Sequence, residues 1–247
     1  MDEDVLSPID LRDPVTAREW ADKADRTRPW RQQLRSTIAA EVQSATRILE
    51  LGSGPGQLAE CILEIANAGE PVPVRYTCLD FSPPMHALAR ERCGDRATYV
   101  VADFKQPGWS HGLGTFDAIV TMQAVHELRH KRHAALLYRE ARAIAPLLVV
   151  CDHEPMLTAK TRFTEDQIRA LSATAAEHHA AMREAGYERA REDGAARGSR
   201  DEAGGTDVHL RSANHGHSLS LADRRNQREG RRLRHGHTLQ AAHVRGA

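Results

Sequence analysis

Ile48-Leu49-Glu50-Leu51 runs without a break into Gly52-Ser53-Gly54-Pro55-Gly56-Gln57. A short apolar run that ends in turn residues reads as a buried strand, and the helical pattern after it spans residues 57–68. A strand, a glycine turn and a helix in this order open a parallel sheet wrapped by helices, and the turn lets backbone amides approach a nucleotide-like ligand closely. This unit constrains the fold more than any other segment of the 247 residues.

The spacing narrows the ligand. The glycines read G-x-G-x-G, whereas a dinucleotide fingerprint needs G-x-G-x-x-G, and its third glycine would fall on Gln57. No Gly-Lys-Ser/Thr follows, so the turn is not a triphosphate loop. Glu50, two positions before Gly52, would repel a pyrophosphate but suits a ligand carrying an ammonium group. The same spacing also serves as a plain strand-to-helix connection without a ligand.

From residue 48 to 152 apolar runs alternate with helical patterns. The predicted strands are 47–51, 74–80, 98–102, 116–122 and 147–152, with helices at 57–68, 84–92 and 128–145. The fold class is therefore α/β, a doubly wound and mostly parallel sheet with helices on both faces. Residues 1–46 form a helical lead-in, broken at Pro29, that could cap a ligand pocket. Residues 47–187 form the domain, with a last helical segment at 164–187 that Thr164 starts.

Residues 188–247 differ sharply. They contain twelve arginines and six histidines but no Ile, Phe, Tyr, Trp, Met, Cys or Lys. Such a segment cannot build a core and reads as a disordered basic tail, with an arginine-rich arm for a polyanion and a frame-shifted product as alternatives.

Bulk composition excludes other classes. Lys plus Arg and Asp plus Glu both number 34, so no global field favours nucleic acid or an anionic membrane, and a small-molecule substrate fits best. Cys61, Cys78, Cys93 and Cys151 lack C-x-x-C spacing and read as reduced thiols, hence a cytoplasmic location. The acidic start MDEDVLSPID has no signal-peptide pattern, and no apolar stretch approaches membrane-spanning length.

Three acids end or closely follow three successive strands: Glu50, Asp80 and Asp103. In a doubly wound sheet these ends lie side by side at the ligand crevice. Asp80 can accept from both hydroxyls of a ribose, and Asp103 from an exocyclic adenine amine while Phe104 offers a ring face.

In this order the segments resemble the class I S-adenosylmethionine-dependent methyltransferases. The four matching motifs are Glu50 to Gly56, Leu79-Asp80-Phe81-Ser82, Ala102-Asp103-Phe104 and Phe116-Asp117-Ala118-Ile119-Val120. The lead-in pieces Arg12-Asp13-Pro14 and Pro29-Trp30-Arg31 resemble those of some small bacterial members. The resemblance implies S-adenosylmethionine as cofactor, with Gly52, Gly54 and Gly56 making room for its methionine part. Glu50 would meet its amino group, Asp80 its ribose, and Asp103 with Phe104 its adenine. Ser53, Phe81 and Gln123 complete the implied cofactor-binding set. The implied reaction is an in-line methyl transfer to a small molecule without a metal.

A sulfonium is an activated methyl donor, so positioning and water exclusion can carry much of the rate. His126 and Glu127, after the fourth strand, are candidates for a general base or for orienting the substrate. His126-Glu127-Leu128-Arg129-His130 also matches H-E-x-x-H, the zinc-hydrolase motif, with Glu140 or Glu154 as conceivable third ligands.

The chain departs from the family at two places. Ile144-Ala145-Pro146-Leu147 lacks the usual glycine turn before the fifth strand. The sixth and seventh strands are also hard to find, since only 206–211 and 217–221 alternate. An unpaired fifth strand would expose an apolar edge and favour homodimerisation, and a crippled cofactor-binding protein is the corresponding alternative.

Overall fold

The computed structural model describes residues 3–67, 74–153, 155, 163–187, 189–192 and 217–223. Among them, no helix is long and apolar enough to cross a membrane. Two N-terminal helices, α1 (Pro14–Thr27) and α2 (Arg31–Glu41), part at Pro29 as expected. Asp13 caps α1 by accepting from the Thr16 N–H at 2.7 Å.

The domain then alternates β1 (Arg47–Leu51), α3 (Gln57–Asn67), β2 (Arg75–Asp80), α4 (Pro83–Cys93), β3 (Ala97–Val101), β4 (Ala118–Met122), α5 (Ala134–Ile144) and β5 (Leu147–His153). Two short helices, α6 (Glu165–Leu171) and α7 (Ala175–Glu184), lead to β6 (Arg189–Glu192) and β7 (His217–Asp223). The strand order is β3-β2-β1-β4-β5-β7-β6. The first five strands are parallel, and β7 runs antiparallel between β5 and β6.

Every residue of β4 is buried, as a strand covered on both faces requires. One face packs Ile38 of α2 and Leu58 and Ile62 of α3, and the other packs Leu137 and Tyr138 of α5 with Met182 of α7. Asp117 accepts from the Thr46 and Arg47 amides at 2.8 and 2.9 Å, fastening the start of β4 beside β1. Chain order reverses between β1 and β4, which places the ligand crevice at their carboxyl ends.

Two expectations change. The sheet does not stop at β5: β7 pairs along it from Leu148 to His153, so the edge thought to invite dimerisation is covered. Apart from β6 and β7, the segment taken for a tail, residues 206–211 included, lies outside the described residues. The helix expected over 128–145 begins only at Ala134, because Arg129 sits at φ +65° and ends a 3-10 turn, Val125–Leu128. All four cysteines are buried free thiols.

Candidate active site

The glycine turn is pinned from below. The Gly52 and Ser53 amides donate to the Leu79 carbonyl at 2.8 and 3.1 Å, and the Gly54 amide donates to Asp80 Oδ2 at 2.8 Å. Asp80 Oδ1 accepts from the Ser82 amide at 2.9 Å. Burial pushes the Asp80 carboxyl up while these amides push it down. Gly52 has φ +68°, and a Cβ there would lie 2.4 Å from that of Ala124, so no other residue fits. A Cβ on Gly54 would meet nothing within 4 Å, because this residue faces open space. Gly56 lies elsewhere, packed against Ala89 of α4, and serves the joint between turn and helix.

Glu50 is 2 % exposed and accepts from the Tyr76 hydroxyl at 2.9 Å. Burial pushes its carboxyl up to about 8, against the Tyr76 hydrogen bond, with Asp80 adding to the rise. A cationic group arriving there would restore the charge.

The turn and Asp80 border a cavity of 560 Å³, large enough for a cofactor and a small acceptor together, and Glu50 borders a smaller recess that shares Gly52 and Gly54 with it. Gly52, Gly54, Asp80, Phe81, Asp103 and Phe104 line one end. Arg12 stacks on the Phe81 ring at 4.7 Å, and the Lys105 amide donates to Asp103 Oδ1 at 3.0 Å. Gln123 lines the cavity at φ +57°, a rare conformation for a non-glycine residue that marks the exit of β4. Trp20 and Arg28 also line the cavity, joined by Ser7, Pro8, Ile9 and Leu11 and by Ile168 and Leu171 of α6.

At the other end His126 donates from its backbone to Asp152 Oδ2 at 2.9 Å, and its Nδ1 lies 2.7 Å from Asp152 Oδ1. Its Nε2 lies 3.4 Å from Glu127 Oε1. Burial lowers the imidazole's affinity for a proton, but the Asp152 and Glu127 carboxylates outweigh it and raise the pKa to about 10. Asp152, 2 % exposed, is held well below the usual carboxylate range by His126 despite its burial. Glu127 is also lowered: burial raises it, and His126 and Arg129 overcome that. The sequence reading did not include Asp152, although the rule that found Glu50, Asp80 and Asp103 applies equally to the acid ending β5.

The zinc-hydrolase motif is not assembled. His126 to Leu128 lie in a 3-10 turn that Arg129 ends, so His130 does not stack one α-helical turn beyond His126. His130 instead accepts from the Arg132 amide, and Glu140 accepts from Gly108 and Ser110. Glu154 lies outside the described residues. Among the described residues, His126, Asp152 and His153 offer ligand atoms within 4.8 Å of one another, but the His126–Asp152 contact is itself a hydrogen bond. That is the arrangement of a base and the carboxylate that orients it.

A doubly wound sheet with an acid-flanked glycine turn, an acid ending β2 and a cavity-lining histidine held by a buried carboxylate suits a nucleoside-like cofactor. The comparisons make that specific. A family model described as a methyltransferase domain matches residues 48–146. A non-reducing polyketide synthase of Penicillium shearii is 30% identical over 105 residues, 41% of this chain and 5% of the synthase. A second, from Stachybotrys chartarum, is 35% identical over 105 residues, 38% of this chain and 4% of its own length. The chain thus spans about a twentieth of the curated relatives it matches.

Among solved structures, an O-methyltransferase family protein of Burkholderia thailandensis superposes with TM-score 0.62 at 14% identity, covering 88% of this chain and 62% of that one. Human N-acetylserotonin methyltransferase in complex with S-adenosylmethionine gives 0.59 at 13%, covering 86% and 57%. Residues 48–146 thus match a methyltransferase domain, and the fold is the one seen in these methyltransferases, one of them solved with S-adenosylmethionine. The residues present fit that cofactor: Gly54 opens onto the cavity, and the carboxyls of Glu50, Asp80 and Asp103 match its ammonium, ribose and adenine amine.

Proposed function

We propose that the protein transfers a methyl group from S-adenosylmethionine to a small-molecule acceptor whose reacting atom carries a proton that His126 removes. The observation that carries this reading is the 2.7 Å contact by which buried Asp152 holds His126, a residue that lines the same cavity as the glycine turn. When bound, the cofactor supplies a methyl group already activated by a sulfonium. Asp152 fixes the imidazole tautomer with the proton on Nδ1, leaving Nε2 as the basic atom. Leu11, Phe104, Phe163, Ile168 and Leu171 give the cavity apolar walls that exclude water and hold the acceptor in line. The similarity to polyketide synthases supports an acceptor rich in carbonyl and hydroxyl groups, with an acidified O–H or C–H as the methylated position.

Calorimetry with S-adenosylmethionine and its demethylated product tests the cofactor half. Binding of neither sinks the proposal. For the chemical half, His126→Gln should lower kcat by about 10²- to 10⁴-fold while cofactor affinity changes less than threefold or so. An unchanged kcat would remove His126 from the reaction.

A further inference from the structure

Tyr138 of α5 and His178 of α7 are 0 % and 2 % exposed, and the Tyr138 hydroxyl lies 2.6 Å from His178 Nδ1. Neither lines the main cavity. Burial, with the Asp152 charge adding to it, pushes the Tyr138 hydroxyl well above its ordinary range, so it keeps its proton and donates. Burial pushes His178 down against the pull of Asp152 and Glu177, so the ring is neutral at neutral pH. A neutral imidazole that accepts at Nδ1 carries its proton on Nε2. That Nε2–H makes no hydrogen bond among the described residues, and a buried donor is costly unless something accepts from it.

The space for an acceptor is defined. His178 borders a void of 10 Å³ together with His126, Asp152 and His153, about the room that one water needs. Lys131 borders it too but is held by Glu177 at 2.5 Å, and Asp152 is the carboxylate on its wall. Asp152 has one acceptor position left among the described residues. Its Oδ1 meets His126 Nδ1 at 2.7 Å and the His153 N–H at 2.6 Å, while Oδ2 accepts the His126 N–H at 2.9 Å.

Given the reading of His126 as the base, on which this rests, we propose that His178 is a positioning residue for it, acting through a single water in this void that accepts from His178 Nε2–H and donates to Asp152 Oδ2. Tyr138 sets the tautomer of His178, His178 orients the water, the water holds Asp152, and Asp152 holds His126. No proton moves along this row, since each hydrogen bond only fixes the direction of the next. Donation to Asp152 spreads its charge, so the row moderates the grip of Asp152 on the His126 proton. The packing of α5 against α7 thereby sets the basicity of a residue that faces the acceptor.

Nuclear magnetic resonance of the imidazole nitrogens in the full chain tests this. In the wild type at neutral pH His178 should be neutral with its proton on Nε2. A proton on Nδ1, or a charged ring, overturns the inference without any variant. Tyr138→Phe, nearly isosteric, frees the tautomer, and His178→Leu removes the donor. The His126 midpoint should rise by about half a pH unit in the first and about one in the second, opposite in sign to Asp152→Asn. Well below the midpoint, kcat/KM for the acceptor should fall by the matching factors of about three and ten. His178→Gln, whose amide can donate in place of Nε2–H, should recover part of the shift.

The other charged groups about the row stay in place in these variants: Glu127 and Arg129 beside His126, and the Lys131–Glu177 pair. So do His153 beside Asp152, His179 beside His178 and Tyr187 beside Tyr138. Lost activity or stability with an unmoved His126 midpoint is the mark of a structural role and overturns the inference. If His178→Leu does not fold, Tyr138→Phe and the wild-type spectrum decide. A crystal structure with a water between His178 Nε2 and Asp152 supports the row, and a dry void overturns it. The spectra need no acceptor, so a moved midpoint stands even where His126→Gln leaves kcat unchanged, an outcome that sinks the proposed function instead.

Discussion

His126 can act as a base only after losing the proton that Asp152 and Glu127 hold on it. Its pKa, raised to about 10, means that the basic form grows with pH across the neutral and alkaline range. At saturating cofactor, kcat/KM for the acceptor should therefore rise with pH, about tenfold per unit well below the midpoint. Asp152→Asn should move that midpoint to lower pH and reduce the plateau by about 10²-fold, because the amide neither holds the charge nor fixes the tautomer. A midpoint that stays in place would mean that Asp152 does not control His126. The same pair affects stability with a definite sign: a raised imidazole pKa stabilises the fold below its ordinary range, and that contribution is lost as pH rises through about 10. Both halves of the pair follow strand exits that apolar runs announce, but that Asp152 meets His126 depends on β5 and β4 being neighbours, as the Met122–Cys151 register shows.

The elements of the parallel core were legible because strands buried on both faces read as apolar runs, and β1 to β5 all fall within a residue or two of expectation. β6 was not, since Arg-Ala-Arg-Glu offers a single apolar residue, and β7 showed only as the weak alternation over 217–221, whose polar residues make a poor strand signal. The late start of α5 has a tertiary cause: Arg129 turns aside to donate to the Val5 and Leu6 carbonyls at 2.7 Å each, a contact across more than a hundred residues. Of the site, Glu50, Asp80, Asp103, Gly52 and Gly54 were readable because each lies at a strand end or in the turn, while Gly56 was assigned to the ligand although its work is to admit α4. The start of α4 is a further test at this scale. Ser82 accepts from the Met85 amide at 3.2 Å and donates to the Leu11 carbonyl at 2.5 Å, so one hydroxyl caps the helix and anchors the segment before α1. Ser82→Ala should destabilise the protein by about 1–3 kcal/mol in a denaturant titration, more than a cap alone accounts for.

Across the whole molecule, residues 4–11 run as a strap beside the cavity, which Ser7, Pro8, Ile9 and Leu11 line. Asp4 bonds Lys105, and it also contacts Arg132 at 2.7 Å and His133 at 2.8 Å. Lys105 and then His133 hold its carboxyl well below the usual range. A lowered carboxyl contributes stability above its ordinary range, and that contribution is lost as pH falls through the lowered value. Asp4→Asn should speed hydrogen exchange at the Val5 amide, which bonds the Arg129 carbonyl at 2.9 Å, and should raise the cofactor off-rate by about three- to tenfold, with added salt producing part of the same effect in the wild type. Unchanged exchange and release would show that Asp4 does not hold the strap.

The register of Glu50 beside Val120 has a consequence in time as well as space. β1 and β4 are neighbours in the sheet, yet three strand-to-strand connections and about seventy residues of chain separate them, so their pairing carries one of the larger loop-closure costs in the molecule. A partly folded chain holding only β1, β2 and β3 would own the glycine turn, Glu50, Asp80 and Asp103, but not Gln123 or the histidine–carboxylate pair beyond β4. Such a chain could offer a nucleoside a seat without offering a methyl group a destination, and competence to react arrives only when the centre of the sheet closes.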